Sequence, residues 1–546
     1  MGTTRKTIDG RSIRWDETRA EQARAAGLWV TTTLGDALRE AVLETPDRVV
    51  LVDGDVRLTC ADLYRRASAL AVAMVGRMPT GSVVSFMLPN WSEAAVVYLG
   101  ATLAGMVVNP ILPSLRDHEL RFILGDADTR MIFVPETFRG YDYAAMLTRV
   151  VDEIDTPPVV VVVRGDAGPH VSYDSLLTAD AADPAVPVDP DAVRMIMYTS
   201  GTTGRPKGVL HTHNSIHALI SQIREHWLVE PGSRFLVPSP IAHIGGSIYA
   251  FECPLLVGAT AVLMQQWDPD AAVALMLEHG CTHMAGATPF LEQLLAAAER
   301  ADTRLPDLAV FICGGASVPP SLIRRATAYF DRARVSRVYG STEVPVTTVG
   351  ALTDPDTAAG TDGRPGIADV WLVARDPGGM GGQTGEICVR GPQMLVGYLH
   401  PEDEADAFDA DGYFRTGDIG RWADDALVVT GRAKDLIIRN GENISPKEVE
   451  DVLIGHLGIA EVAVVGMPHE RTGEQACAVI VPVGSAAPCV EDLGAFLLQQ
   501  GLARFKVPER VAIWESLPKN DAGKVLKHRI RAALGGTPTD GESEVQ

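Results

Sequence analysis

No apolar run in this 546-residue sequence reaches the ~20 residues that a membrane-spanning helix needs. The longest candidate, AAVVYLGATLAGMVVNPILP at 94–113, is cut by Asn109 and Pro110 to about 15 unbroken residues. A buried helix running into a buried strand is expected there instead. The first residues, MGTTRKTIDGRSIRWDE, contain no apolar h-region, so no secretory signal is expected, and Lys6 stands where a myristoylation signal needs Ser or Thr. Cysteine is sparse and scattered: Cys60, Cys253, Cys281, Cys313, Cys388, Cys477 and Cys489 are odd in number and form no CxxC pair. That excludes a disulfide framework and a Cys zinc site and suits a reducing, cytoplasmic setting. Positive charge is scarce as well. A net charge of −22 argues against a nucleic-acid groove or an anionic membrane surface, although a local basic patch could still hold a phosphorylated ligand. There is no tandem repeat and no recognisable Ser-His-Asp arrangement.

What is present is an ordinary globular composition, 46% hydrophobic and 22% charged, in a chain long enough for two or more domains. Apolar strand-like runs at 159–163, 310–313 and 462–466 alternate with helical patterns such as 289–300. This alternation predicts an α/β protein with parallel sheets and ligands at the carboxyl ends of the strands. The polar, Pro-rich segment 178–192 reads as an exposed linker, and the tail from about residue 535 as disordered. A domain boundary is expected near 431–435, where the run 427–430 meets a glycine and two basic residues follow.

The most informative segment is YTSGTTGRPKGV at 198–209. Gly201, Gly204 and Gly208 let the backbone approach a ligand, while Thr199, Ser200, Thr202, Thr203 and Lys207 can bond phosphate oxygens. A Ser/Thr-rich surface loop would have the same composition. A Walker A loop is excluded, because Pro206 precedes the lysine and Gly208 follows it. Four further segments follow in order: PIAHIGG at 240–246, YGSTE at 339–343, YFRTGD at 413–418 with GRAKDLIIRNGENISPKEVE at 431–450, and PKNDAGKVLK at 518–527. Together these resemble the signature motifs of the acyl-adenylate-forming superfamily of AMP-binding enzymes, in its acyl-CoA synthetase or fatty-acid–CoA ligase branch. The weaker matches LTCADLYRRASALA and LGATLAGMVVNP extend the resemblance from about residue 35 to about residue 530.

The resemblance implies a fold and a reaction. The fold is a large N-terminal domain (1–431) of two αβ-layered subdomains plus a small β-barrel, a hinge at 432–435, and a smaller, mobile α+β C-terminal domain (436–546). The reaction joins a carboxylic acid to ATP, releasing pyrophosphate and leaving an acyl-adenylate, whose acyl group then passes to coenzyme A. Such chemistry rests on positioning and charge neutralisation rather than on a nucleophilic side chain.

Site residues carry over by motif. Glu343 would ligate Mg²⁺, with Thr199 or a neighbouring hydroxyl of the loop Ser200, Gly201, Thr202, Thr203, Gly204 supporting the ion or the phosphates. Thr342 would meet the α-phosphate, with Tyr339, Gly340 and Ser341 beside it. Gly314, Gly315 and Ala316 would form the wall against adenine. Asp418 is suited to accept both ribose hydroxyls, and Arg432 would reach the ribose or the phosphates. Lys524 would bridge the substrate carboxylate and the α-phosphate during adenylation. Lys434 matches the hinge position; rotation there would replace Lys524 with the 441–445 loop, whose Gly441, Glu442 and Asn443 would serve CoA.

His243, Gly245, Gly246, Ala287 and Val344 would line the acyl pocket, together with Ser247, Ala285, Gly286, Thr288 and Pro345. Ala242 stands where many members have Phe, so an altered wall is expected. No Asp in PIAHIGGS pairs with an α-ammonium, so the acid is expected to be fatty, alicyclic or aromatic, without an α-amine. His211, His213 and His217 lie at helix-like offsets that could suggest zinc, but no further ligand cluster accompanies them. The expected partners are ATP, Mg²⁺, CoA and the acid, and self-association stays open. Three alternatives share the motifs: a ligase loading a carrier protein, a luciferase-like oxygenase, and a non-catalytic binding module.

Overall fold

The computed structural model describes residues 4–177, 182–200, 205–315, 318–374, 384–439, 442–469, 471–484, 486–520 and 523–535. Two seven-stranded sheets form the body. The first runs Val171–Ser172, Val159–Val163, Thr129–Pro135, Val83–Phe86, Val107–Pro110, Val193–Ser200, Pro206–Thr212, parallel except for the last pair. The second runs Arg334–Val338, Val310–Gly314, His283–Gly286, Arg234–Val237, Thr260–Leu263, Val49–Asp53, Val56–Thr59, again parallel but for one edge hairpin. Parallel pairing requires crossovers, and the helices that supply them cover both faces. This is why runs such as VVVVV at Val159–Val163 are apolar without alternation.

The segment 94–113 resolves as expected into the helix Ser92–Leu103, nearly every residue buried, and the buried strand Val107–Pro110. The helix is amphipathic nowhere because it packs between the sheets, in the largest apolar cluster of the protein. Among the described residues no helix is long and apolar enough to cross a membrane. All seven cysteines are free, six of them buried.

The expected small barrel takes a more open form. Asp369–Val373, Thr384–Arg390, Phe414–Ala423 and Ala426–Arg432 make a four-stranded antiparallel sheet, with no closing pair among the described residues. Beyond it a 3₁₀ turn, Ala433–Asp435, leads into a smaller C-terminal unit. Its five-stranded mixed sheet is centred on the long hairpin Ile459–His469 and Gly473–Pro482, with helices such as Pro446–Leu453 and Val490–Gln499 and apolar clusters of its own. A core separate from the main body is what an independently moving domain needs. The described part of the 178–192 segment, 182–192, has no regular structure. It is nonetheless held, since Asp183 pairs with Arg39 at 2.6 Å and accepts from the Tyr64 hydroxyl. The tail beyond 535 lies outside the described residues.

Candidate active site

The phosphate-loop segment is bordered by two antiparallel strands. Strands Val193–Ser200 and Pro206–Thr212 pair with Thr199 opposite Lys207, so a hydroxyl and an ammonium stand opposite each other across the strand pair. Gly201, Thr202, Thr203, Gly204 and the side chain of Ser200 lie outside the described residues. Lys207 is largely buried, its Nζ donating to the Asp403 carbonyl at 3.3 Å and lying 5.2 Å from the centre of the Tyr398 ring. Gly208 is needed for close approach: a Cβ there would stand 3.1 Å from both Ile196 and Leu399. The segment 396–399 thereby bonds to the backbone of this strand pair, with Leu399 N donating to Gly208 O at 2.8 Å.

That same segment reaches the YGSTE turn. The Tyr398 hydroxyl donates to Glu343 Oε1 at 3.1 Å, and Leu395 N donates to the Glu343 carbonyl at 2.7 Å. Burial, reinforced by the Glu343 charge, pushes the Tyr398 phenol well up, so it stays a donor. The turn is tight. Ser341 N and Val344 O bond at 3.1 Å, and a Cβ on Gly340 would sit 2.6 Å from Val346 N. His211 Nε2 donates to the Thr342 carbonyl at 2.7 Å, and burial pushes its imidazole down to about 4, so the ring is neutral at physiological pH. His213 is buried, and His217 bonds the Leu28 carbonyl. These histidines bond backbone carbonyls or lie in the core, and among the described residues no three His, Cys, Asp or Glu side chains are placed where they could hold a metal together. A Mg²⁺ ion bound with nucleotide phosphates needs only a carboxylate or two from the protein. The Glu343 carboxylate, half-buried and with one oxygen committed to Tyr398, fits that requirement.

Tyr339 links the turn to the four-stranded sheet, donating to Asp418 Oδ2 at 2.8 Å, while Arg432 Nε contacts Asp418 Oδ1 at 2.9 Å. Asp418 and Arg432 are direct cross-strand partners, so the sheet register sets this pair. Burial, followed by the charge of Asp418, raises the Tyr339 phenol far above its ordinary value.

The C-terminal unit brings Lys524 to this group. Gly523, at φ +78°, turns the loop so closely onto the main body that a Cβ would lie 3.3 Å from Pro289. The loop is fixed by Lys524 N donating to Asn520 Oδ1 at 2.8 Å and by Asn520 N donating to Lys524 O at 2.9 Å. Lys524 keeps solvent contact, yet enough protein surrounds it that desolvation, then the charge of Arg432, pushes its ammonium down to about 8. Asp418 pulls the other way and Lys434 adds to the lowering. Lys434 lies in the Ala433–Asp435 turn, its own ammonium lowered first by burial and then by Arg432.

The proposed adenine and acyl walls follow strand ends. Gly314 ends the strand Val310–Gly314, where any Cβ would collide with the Val338 side chain, and Gly315 has φ +79° with open space before it. Ala316 lies outside the described residues. His243 is the N-cap of Ile244–Ser247, which continues through a π turn, Ile248–Glu252, into Cys253–Leu256. Gly246 packs against Pro240 too closely for a Cβ, whereas Gly245 faces open space. Ala287 is the N-cap of Thr288–Arg300, the helix that Gly523 touches through Pro289, and Val344 is fully buried. The residues expected to serve CoA are not gathered here. Glu442 is exposed on the edge strand Glu442–Ile444, while Gly441 and the Asn443 side chain lie outside the described residues. A cavity of about 450 Å³ lies elsewhere, bordered by Thr33, Glu40, Arg194, His213 and Glu252, and none of Glu343, Asp418, Arg432 or Lys524 lines it.

Comparison with known proteins accords with this geometry. The model of the AMP-binding enzyme family matches residues 38–399, and that of the AMP-binding enzyme C-terminal domain matches 448–524. A medium-chain fatty-acid–CoA ligase of Escherichia coli (strain K12) is 34% identical over 545 residues, covering 95% of this chain and 94% of the relative. A 3-[(3aS,4S,7aS)-7a-methyl-1,5-dioxo-octahydro-1H-inden-4-yl]propanoyl:CoA ligase of Rhodococcus jostii (strain RHA1) is 35% identical over 517 residues, covering 92% and 98%. The solved structure of ATP-bound MatB from Rhodopseudomonas palustris superposes with a TM-score of 0.82 at 27% identity, covering 92% of this chain and 99% of that one. With the motifs and fold in agreement, both family models matched and a relative aligned over 95% of its length, the chain belongs to the AMP-binding enzymes and is an acid–thiol ligase.

Proposed function

We propose that the protein condenses a fatty, alicyclic or aromatic acid lacking an α-amine with ATP and then transfers the acyl group to coenzyme A, in the cytoplasm. The observation that supports this most is the convergence of Tyr339, Asp418 and Arg432 from the main body with Lys524 from the C-terminal unit. In the first step a carboxylate oxygen attacks the α-phosphorus and the bond to pyrophosphate breaks. In the second, the CoA sulfur attacks the acyl carbonyl, the bond to AMP breaks, and the thiol proton passes to solvent.

The proposed roles combine this geometry with the motif positions. Asp418 has lone pairs to spare beyond Tyr339 and Arg432 for the ribose hydroxyls. Arg432 and Lys524 lie close enough to influence each other's charge and would offset the repulsion between the carboxylate and the α-phosphate. Lys207, Thr199 and the loop between them would take the outer phosphates. Glu343 and Thr199 would hold a magnesium ion, which neutralises phosphate charge when bound. His243, Gly245, Gly246, Ala287 and Val344 would border the acid. Residues 1–431 and 436–546 would move as two bodies about 432–435. Lys524 would then serve adenylation, and the Gly441, Glu442, Asn443 segment would serve thioester formation after rotation at Lys434.

The test is a panel of aliphatic, alicyclic and aromatic acids with ATP, Mg²⁺ and CoA, following AMP release and thioester mass. AMP release with thioester formation on at least one such acid is expected. Adenylate formation with no transfer to CoA for any acid would overturn the acceptor.

A further inference from the structure

One contact spans the hinge. Ser445 is the N-cap of Pro446–Leu453, its Oγ accepting from Glu448 N at 3.3 Å. The same hydroxyl donates to the carbonyl of Thr430 on the strand Ala426–Arg432. Thr430 precedes Lys434 and Ser445 follows it, so the bond ties the main body to the C-terminal unit. The approach is close by construction: a Cβ on Gly431 would lie 3.0 Å from Ser445 Oγ. Thr430 is itself anchored, its hydroxyl donating to the Ile419 carbonyl at 3.2 Å. The contact coexists with the seating of Gly523 against Pro289, which holds Lys524 within electrostatic reach of Arg432 and Asp418.

We infer that Ser445 is a positioning residue, a hydroxyl latch that favours the orientation with Lys524 in the site over the one used for thioester formation. The inference rests on the two-orientation reading above. Rotation about Lys434 moves residue 445 relative to residue 430, so the bond exists in one orientation only. Its loss shifts the balance by the worth of one neutral hydrogen bond, roughly three- to tenfold.

The selective variant is Ser445→Asp. An ionised Asp still caps the helix, because it accepts from Glu448 N, but it cannot donate to the Thr430 carbonyl and is repelled by it. Ser445→Thr keeps both bonds and serves as the conservative control. The readout is the ratio of two rates: ATP–pyrophosphate exchange with free acid, and thioester formation from preformed acyl-adenylate and CoA. Ser445→Asp should lower that ratio three- to tenfold, with exchange falling, while Ser445→Thr restores it. Unchanged rates in both reactions would overturn the latch and leave the two-orientation reading standing. Equal loss in both would overturn the latch and count against two orientations, in which case Lys434→Pro would also slow both steps alike. Loss confined to thioester formation would also overturn the latch.

Discussion

If Lys524 serves adenylation as proposed, its surroundings should set a pH limit on that step. Its ammonium is the form that can bridge two anions, and desolvation by the surrounding protein, with the nearby Arg432 charge, lowers its pKa to about 8. A lowered lysine pKa means the active form is intact below 8 and lost as pH rises through it. The free enzyme should be about 91% competent at pH 7 and about 9% competent at pH 9, so kcat/KM for ATP in pyrophosphate exchange should fall about tenfold between them. Bound triphosphate, being anionic, stabilises the ammonium, so kcat should fall only at higher pH. The neighbours give internal controls. Asp418 raises the lysine pKa and Arg432 lowers it. Asp418→Asn should therefore move the falling limb to lower pH and Arg432→Gln to higher pH, whatever each does to the absolute rate. Lys524→Arg should remove the limb, since a guanidinium does not titrate in this range. A kcat/KM that stays flat to pH 9.5, or a limb that survives in Lys524→Arg, would refute the assignment.

Other perturbations test separate links. Glu343→Ala should abolish pyrophosphate exchange, with little recovery in excess Mg²⁺; near wild-type exchange would exclude the magnesium role. Lys434→Pro, by fixing φ near about −65°, should spare adenylation and slow acyl transfer to CoA; equal loss of both steps would count against a hinge there. In the core, Glu252→Leu should leave Arg194 buried without the partner it contacts at 2.6 Å, at a cost of about 3–5 kcal/mol. Thermal unfolding followed by near-ultraviolet circular dichroism should show a clearly lowered Tm, and an unchanged Tm would mean that Arg194 finds another counter-charge.

The sequence and the structure carry different parts of this site. The order of residues in YTSGTTGRPKGV and in the four motifs after it is enough to indicate the family, because each motif is a short contiguous segment whose residues can be read together. The pairing of Tyr339 with Asp418, 79 positions apart, depends on a strand end meeting a separate sheet. No periodicity announces it. Tyr398 and Asp403, which hold Glu343 and Lys207, fall outside every motif and escape a reading of the sequence; they act through a segment that lies against the strand pair only because Gly208 lacks a side chain. His211 looks like a weak metal ligand by spacing and is instead a neutral donor to Thr342. The alternation of strands and helices predicts the parallel sheets correctly, since burial on both faces leaves a plain apolar signature. The small barrel is expected from resemblance alone, and edge closure depends on pairings between strands that no single strand encodes locally.

The division of labour between two orientations meets its most direct test in Lys524→Ala, assayed in each half-reaction separately. Loss of the bridging cation should slow pyrophosphate exchange with free acid by roughly 100- to 1000-fold, the usual worth of one preorganised electrostatic contact. Synthetic acyl-adenylate supplied with CoA should still be converted at close to the wild-type rate, because in the proposed second orientation Lys524 would have left the site. If Lys524→Ala slows both half-reactions alike, a single fixed arrangement carries out both steps and the two-orientation mechanism is wrong for this protein.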